Sequence, residues 1–364
     1  MTKIKVAKFG GSLISDAKDF LKVVEVIKSG EPDLVVISAT RGTTNLLEQI
    51  WLYSHQGKTE ERNSLIKQFE DRHVDLACDL NVWEMIRHDF EQIVSELRHG
   101  PSDKEKYPSK DFTSRNLDRL DHILSLGEKT SSLILSKCLD DYEYLDATDY
   151  IQTDLNYSAA AVDFEKTNQK IKLLKESILQ GNKFVTQGFL GRNSDGKVTT
   201  LGREGSDYSA TIFAGGLGAE RVSIYTDVPG VFQADPKKWS FCKAIKNLSY
   251  PQAETMAEKG AKVLFPKTLL PIKEQKIPLE VTNLSRDSVT TISMDAELQP
   301  AFVFQDEEMA LYSPSTELNV NKISKEVFGD LCSGCHTEEE GWYRISFTQT
   351  PDTSFIEKFF SRIV

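Results

Sequence analysis

Apolar residues come in two patterns along this chain: short, nearly unbroken runs, and longer stretches in which they recur at helical spacing. Residues 3–9 read as a strand ending in Gly10-Gly11-Ser12, after which Phe20, Val23, Val24 and Ile27 share one helical face. Gly30 and Pro32 stop that helix. Leu34-Val35-Val36-Ile37 is an apolar run of the kind a parallel sheet buries on both faces. Strand, glycine loop, helix, strand makes a βαβ unit, for which a right-handed crossover is expected. Residues 45–98 read as polar helix, with Leu65, Phe69, Leu76 and Leu80 at helical spacing, and the charged, aperiodic stretch 100–116 reads as a loop. Helical spacing returns over 117–139. Residues 144–147 and 183–187 are predicted strands flanking a helix at 165–180. Within 193–200, Ser194-Asp195-Gly196 marks a hairpin turn, because Asp-Gly tolerates positive φ. Residues 207–217 read as a short helix and 222–225 as a buried strand. A helix with Pro251 in its first turn and Gly260 past its end comes next. Residues 289–294 form the last strand before a shift in composition, and 300–364 read as strand, helix, strand, helix in a small unit of their own.

The pattern predicts an α/β fold with a mainly parallel sheet. A length of 364 residues suggests two or three domains. With 39% hydrophobic and 27% charged residues, the balance is that of a soluble globular chain. A formal net charge of −11 removes any general attraction for nucleic acid or anionic membrane, while leaving local phosphate binding open. The start, Met-Thr-Lys-Ile-Lys-Val-Ala-Lys-Phe, has no apolar core of signal-peptide length, and nowhere is there an apolar run long enough for a membrane span. Cytoplasm is the expected compartment. Cys78, Cys138, Cys242, Cys332 and Cys335 are an odd, sparse set, unlike a disulfide framework.

Four segments carry candidate chemistry. In Lys8-Phe9-Gly10-Gly11-Ser12, glycines after a strand let backbone N–H groups approach a phosphate, and Lys8 supplies a cation. The spacing is neither a Walker loop nor a dinucleotide fingerprint, and an ordinary structural turn is the plainer reading. In residues 201–210, Ser206 or Asp207 caps a helix in the plain reading. The sharper one adds Arg203, whose guanidinium grips a carboxylate beside a helix N-terminus. Thr226-Asp227-Val228-Pro229-Gly230-Val231-Phe232, then Asp235-Pro236, is a strand-end loop of the kind that holds ligands in open parallel sheets. Lys262, in Gly260-Ala261-Lys262-Val263-Leu264-Phe265-Pro266, sits between two helical segments and is otherwise a solvated lysine. Cys332-Ser333-Gly334-Cys335-His336 matches the haem-attachment pattern and half a zinc site. Without an export signal or a second cysteine pair nearby, a chance match in a small loop is the expectation.

These segments, in this order, resemble the aspartate kinase branch of the amino-acid kinase family. Ser38-Ala39-Thr40-Arg41-Gly42-Thr43-Thr44-Asn45 and Gly127-Glu128 match further family segments, so the resemblance covers about residues 3–295. Three positions depart from it: Glu204 stands for a glycine in the arginine loop, Phe265 for a histidine, and Leu13 follows Ser12 where Thr-Ser is common. The resemblance implies a three-layer sandwich with a mainly parallel central sheet over 1–298, its nucleotide half about 195–298. A single ACT-like α+β module would occupy 299–364, where the family usually carries two. The implied reaction is ATP-dependent phosphorylation of the L-aspartate side-chain carboxylate to 4-phospho-L-aspartate, the first step of aspartate-family amino-acid biosynthesis. It would use Mg2+ in a cytoplasmic homodimer, with no nucleic acid or membrane partner. By the same resemblance, Lys8 and the N–H groups of Gly10 and Gly11 hold the transferred phosphoryl group, and Asp207 organises the lysine. Arg203, with Ser206 beside it, clamps the substrate α-carboxylate. Glu128 pairs with the α-ammonium, and Ser38 and Thr44 steer the side-chain carboxylate. Ser12, Thr226, Asp227, Phe232, Asp235 and Lys262 line the nucleotide site, with no protein ligand to a metal. Two alternatives stay open: a sister kinase acting on glutamate, acetylglutamate, a carbamate or a nucleotide monophosphate, and a catalytically silent nucleotide-binding regulator.

Overall fold

A computed structural model describes residues 3–98, 114–261, 266–294, 296, 300–305, 307–313, 318–338 and 341–363. The chain divides into two compact units, Met1–Asp227 and Val228–Val364.

The first unit is built on β1 (Lys5–Phe9), α1 (Ala17–Gly30), β2 (Leu34–Ile37), α2 (Thr43–His55), α3 (Thr59–Asp79), α4 (Trp83–Arg98), α5 (Ser114–Lys137), β3 (Tyr142–Leu145), α6 (Phe164–Leu179), β4 (Lys183–Gln187), β5 (Leu190–Arg192), β6 (Val198–Thr200), α7 (Gly205–Leu217) and β7 (Arg221–Tyr225). Five strands run parallel in the order β3-β4-β2-β1-β7, with Lys8 opposite Val36 on one side and Ile224 on the other. The unbroken apolar run of β2 is fully buried, as a doubly covered parallel strand requires. Helix α1 buries Phe20, Val23, Val24 and Ile27, and Asp16 caps it by accepting from Asp19 N at 2.9 Å.

The polar helical stretch read as continuous over 45–98 is three helices. Its breaks fall at Gly57 (φ +67°) and Asn81 (φ +58°), residue types that tolerate left-handed backbone. Leu47, Phe69, Phe90 and Leu126 join α2, α3, α4 and α5 in one apolar cluster. The loop expected over 100–116 lies outside the described residues, except that α5 already begins at Ser114. Strand β3 sits two residues earlier than predicted, because Asp146 accepts from Thr148 N at 2.9 Å and turns the chain there. The hairpin β5–β6 is antiparallel, with Gly196 at φ +77° in its turn, as the Asp-Gly pair foretold.

The second unit holds β8 (Asn247–Ser249), α8 (Tyr250–Glu258), α9 (Leu270–Lys273), β9 (Leu279–Thr282) and β10 (Val289–Ser293). Strand β10 runs parallel to β8 and antiparallel to β9. Strands β8 and β9 are too short to show a period and were not legible in the sequence. Then come β11 (Ala301–Gln305), β12 (Glu308–Tyr312), α10 (Val320–Phe328), β13 (Cys332–Thr337), β14 (Trp342–Phe347) and α11 (Thr353–Phe360), with a four-stranded antiparallel sheet ordered β11-β12-β14-β13. The expected strand, helix, strand, helix is therefore corrected to two strands, helix, two strands, helix. Strand β13, Cys-Ser-Gly-Cys-His-Thr, has almost no strand-forming side chains and gains its place by pairing with β14. The cysteine motif thus lies on a strand rather than in a loop. Among the described residues no group of three or more His, Cys, Asp or Glu is placed to hold a metal ion. This module's core joins Phe302, Met309, Ile345 and Phe359 to Trp239 and Cys242, which precede its first strand. No described helix is long and apolar enough to cross a membrane.

Candidate active site

The site gathers where the parallel strands of the first unit end. Lys8 is the penultimate residue of β1, and its Nζ lies 2.5 Å from Asp207 Oδ1, with both side chains 9% exposed. Asp207 belongs to the first turn of α7, where the helix dipole favours a carboxylate. An ion pair this deeply covered needs full partnership to offset its desolvation, so the two groups hold each other in place.

Beyond Lys8 the chain crosses between the ends of β7 and β2. Gly10 N donates to Tyr225 O at 3.1 Å, and a Cβ on Gly11 would lie 2.5 Å from Ala39 O, so only glycine fits there. This corrects one expectation: the Gly10 N–H is committed to the Tyr225 carbonyl rather than turned toward a phosphate. Ser12 is half-buried in the short turn that follows.

On the β2 side, Ser38 N donates to Phe9 O at 3.2 Å, and Ser131 Oγ of α5 donates to Ser38 O at 2.8 Å. Ala39 N donates to Glu128 Oε1 at 3.3 Å. Glu128 is only 4% exposed, and its Oε2 is buried with no hydrogen-bond partner among the described residues. Burial pushes its carboxyl up to about 8, against smaller opposing effects from the Ala39 N–H and the charge of Lys8. Glu128 therefore keeps one carboxyl oxygen without a partner inside the protein. Gly127 beside it is closely packed: a Cβ would stand 3.1 Å from side-chain atoms of Ala39, Thr43 and Leu47.

Thr44 sits half-buried in the first turn of α2, after Gly42 at φ +78°. The segment is held from beneath by a buried relay in which Thr40 Oγ1 meets Thr43 Oγ1 at 2.6 Å and His73 Nε2 at 3.1 Å. His73 Nδ1 donates to Phe69 O at 2.7 Å, and burial pushes the imidazole down to about 4, so it stays neutral and Nε2 accepts from Thr40. Nothing in the periodicity marked His73, which read only as a helix residue.

Arg203 is exposed just before α7, between Gly202 (φ +81°) and Glu204 (φ +54°). The departure at 204 therefore puts a side chain where the backbone favours glycine. Ser206 lies one residue before Asp207 and packs on the loop after β4: a Cβ on Gly188 would fall 2.5 Å from Ser206 Cβ, and Phe189 N donates to Ser209 Oγ at 2.9 Å. The Gly188-Phe189 loop, with Phe189 at φ +70°, is a part of the site that sequence reasoning missed, although a glycine directly after a predicted strand was the available signal.

Thr226 and Asp227 follow β7, with Thr226 Oγ1 donating to Asp227 Oδ1 at 3.2 Å. Phe232 and Asp235 belong to the second unit. Phe232 makes an isolated antiparallel bridge with Ala244, and Asp235 Oδ1 accepts from Lys237 N at 3.0 Å, closing a turn. Lys262 and Phe265 lie outside the described residues.

The first unit thus brings together Lys8, Asp207, Gly11, Ser38, Glu128 and the start of α7 at the ends of its parallel strands. The sequence pattern of the amino acid kinase family matches residues 3–283, and the chain belongs to that family. Its similarities within the family point to one branch. It is 30% identical to the aspartokinase of Chlamydia pneumoniae over 93% of this chain and 70% of the relative. It is also 30% identical to the lysine-sensitive aspartokinase 3 of Escherichia coli strain K12, over 91% and 74% respectively. Among solved structures, E. coli aspartokinase III in complex with aspartate and ADP (R-state) superposes with a TM-score of 0.74 at 27% identity, covering 98% of this chain and 83% of that one. The aspartate kinase of Clostridium acetobutylicum shares the fold at a TM-score of 0.69 and 24% identity.

Proposed function

We propose that this chain transfers the γ-phosphoryl group of ATP to the side-chain carboxylate of L-aspartate, giving 4-phospho-L-aspartate and ADP. The observation that carries this reading is the buried Lys8–Asp207 pair at the Gly10-Gly11 turn, beside the buried, half-partnered carboxylate of Glu128. The acceptor carboxylate is already anionic near neutral pH, so the reaction needs positioning and charge stabilisation more than acid–base work.

In this proposal Lys8 neutralises the charge that grows on the transferred group, and Asp207 keeps its ammonium aimed. Gly11 lets the chain pass against Ala39 and offers its N–H to the phosphoryl oxygens. Glu128 takes the substrate α-ammonium on its open oxygen, and Arg203 grips the α-carboxylate through two parallel hydrogen bonds, with Ser206 alongside. Ser38 and Thr44 orient the acceptor carboxylate. The donor is MgATP, whose ion keeps most of its waters and takes few protein ligands. Ser12, Thr226, Asp227, Phe232, Asp235 and Lys262 are assigned to the nucleotide. We place in the same proposal a cytoplasmic homodimer held through the C-terminal module.

The test is an ADP-release assay with MgATP and a panel of aspartate, glutamate, acetylglutamate, carbamate and nucleoside monophosphates. Aspartate is expected to lead. The methylene separating glutamate from it is worth about 10–200-fold in a fitted pocket. Turnover of another panel member with none on aspartate would move the chain to a sister activity. ATP binding without turnover of any member would make it a silent regulator.

A further inference from the structure

One buried group of the first unit has no part in the chemistry above, yet it bonds two of the segments that frame Arg203. Asp121 lies on α5, two helical turns before Glu128, and is fully buried. Its carboxylate accepts from Thr200 N at 2.7 Å and Thr200 Oγ1 at 2.9 Å. It also accepts from Ser158 N at 2.9 Å and Ser158 Oγ at 3.1 Å. Thr200 is the last residue of β6, three positions before Arg203. Ser158 stands at φ +63° on a separate loop, and its carbonyl oxygen would lie 3.1 Å from a Cβ on Gly202. The two segments also bond directly, Ala160 N donating to Thr200 O at 3.0 Å. Leu201 N completes the frame by donating to Phe189 O at 2.9 Å.

Two backbone N–H groups meet Oδ2, from Thr200 at 2.7 Å and Ser158 at 2.9 Å, and two hydroxyls meet Oδ1, so one short side chain that accepts on both oxygens ties the two segments together. Burial raises the Asp121 carboxyl above the ordinary aspartate range, and the donors from Ser158 and Thr200 oppose that rise. We propose that Asp121 is the positioning residue of the arginine loop. By gathering Ser158 and Thr200 it sets where residues 201–203 leave β6, and so it fixes the distance between the Arg203 grip and Glu128 on its own helix. This inference rests on Arg203 being the carboxylate grip.

The experiment is a double-mutant cycle on the full chain: steady-state kinetics of Asp121→Ala, Arg203→Ala and the double variant, with circular dichroism to confirm folding. Asp121→Asn should act only weakly, since its oxygen can accept both N–H groups while its amide donates to the two hydroxyls. Asp121→Ala removes every acceptor that gathers Ser158 and Thr200. It is expected to raise the KM for aspartate roughly ten- to hundredfold, the equivalent of one charged hydrogen bond. The KM for MgATP should stay within about twofold, a split that general destabilisation would not produce. In the Arg203→Ala background the same change should add almost nothing, because the grip it positions is gone. Ser158→Ala and Thr200→Val, each removing one hydroxyl donor, should move the KM for aspartate in the same direction by less, and they carry the test if Asp121→Ala does not fold. An unchanged KM for aspartate, an equal rise in both KM values, or effects that multiply in the double variant would each overturn the inference while leaving the kinase reading intact. An Arg203→Ala chain with unchanged KM would remove the grip assignment itself, and this inference with it.

Discussion

At the scale of single residues, the account depends on three charged side chains in different environments. Lys8 is buried against Asp207, so Lys8→Ala strands a buried carboxylate as well as removing the phosphoryl cation. Loss of one preorganised stabilising group costs about 10²–10³ in kcat, and we expect at least that in an ADP-release assay. Arg203 is exposed and, in the proposal, grips the substrate α-carboxylate, so Arg203→Ala should act mainly on the KM for aspartate. Glu128 offers a pH signature. Burial pushes its carboxyl up to about 8, while the ionised form is the one that pairs with an ammonium in the proposal. Accordingly kcat/KM for aspartate should rise with pH and level off above about 8, and Glu128→Gln should flatten that rise. The stability sign is opposite. Between the ordinary glutamate value of 4.5 and about 8 the folded chain holds a proton that the unfolded chain has lost, so Glu128 lowers stability as pH climbs through that window. A Glu128→Gln chain should therefore lose less of its thermal stability than wild type between pH 5 and 8.5. A pH profile of kcat/KM that is unchanged in the glutamine variant would contradict the assigned role.

At the scale of elements, the turns position the chemistry more than the helices and strands do. Gly11 passes so close to Ala39 O that Gly11→Ala must displace either the glycine turn or the end of β2. A misplacement of about 1 Å at a reacting centre costs on the order of 10²-fold, so kcat should fall by roughly that factor while the circular dichroism spectrum stays native. Glu204 is the converse case. A left-handed non-glycine residue costs roughly 1–2 kcal/mol, and glycine brings back about 0.5–1 kcal/mol of chain entropy, so Glu204→Gly should be neutral to slightly stabilising. It also removes a negative charge beside the proposed α-carboxylate grip, and the KM for aspartate should drop. A higher KM would mean that Glu204 aids binding.

The same elements show what the sequence could and could not convey. An unbroken apolar run gave β2 to the residue, because a doubly buried strand writes its environment directly into its composition. The Asp-Gly turn gave the hairpin for an equally local reason. Strand β13 was illegible because its stability comes from pairing with β14 rather than from its own side chains. For the proposed site, Lys8, Gly11 and Asp207 stood in segments that glycine spacing and charge singled out, whereas Glu128 came only with the family resemblance. The engagement of Gly10 N with Tyr225 O, the Thr40–Thr43–His73 relay and the Gly188-Phe189 contact with α7 were not legible. Each joins residues distant in sequence, and a residue's partner across a sheet leaves no mark on its neighbours.

At the scale of the whole molecule, the second unit bears on how the chain assembles. Trp239 and Cys242 are buried by the side chains of the C-terminal module, so removing residues 300–364 would expose them rather than release a clean catalytic chain. Trp239→Ala should cost about 3–5 kcal/mol of stability in that unit, read as a lowered unfolding midpoint. The proposed homodimer is therefore better examined on the intact protein by light scattering, where a single-chain mass at micromolar concentration would remove it. The central claim is chemical, and one measurement reaches it directly. When the chain is incubated with MgATP, L-aspartate and hydroxylamine, an acyl phosphate would be trapped as aspartyl hydroxamate. The account predicts hydroxamate that requires both ATP and aspartate and disappears in Lys8→Ala; ADP release without hydroxamate, or hydroxamate undiminished in Lys8→Ala, would contradict it.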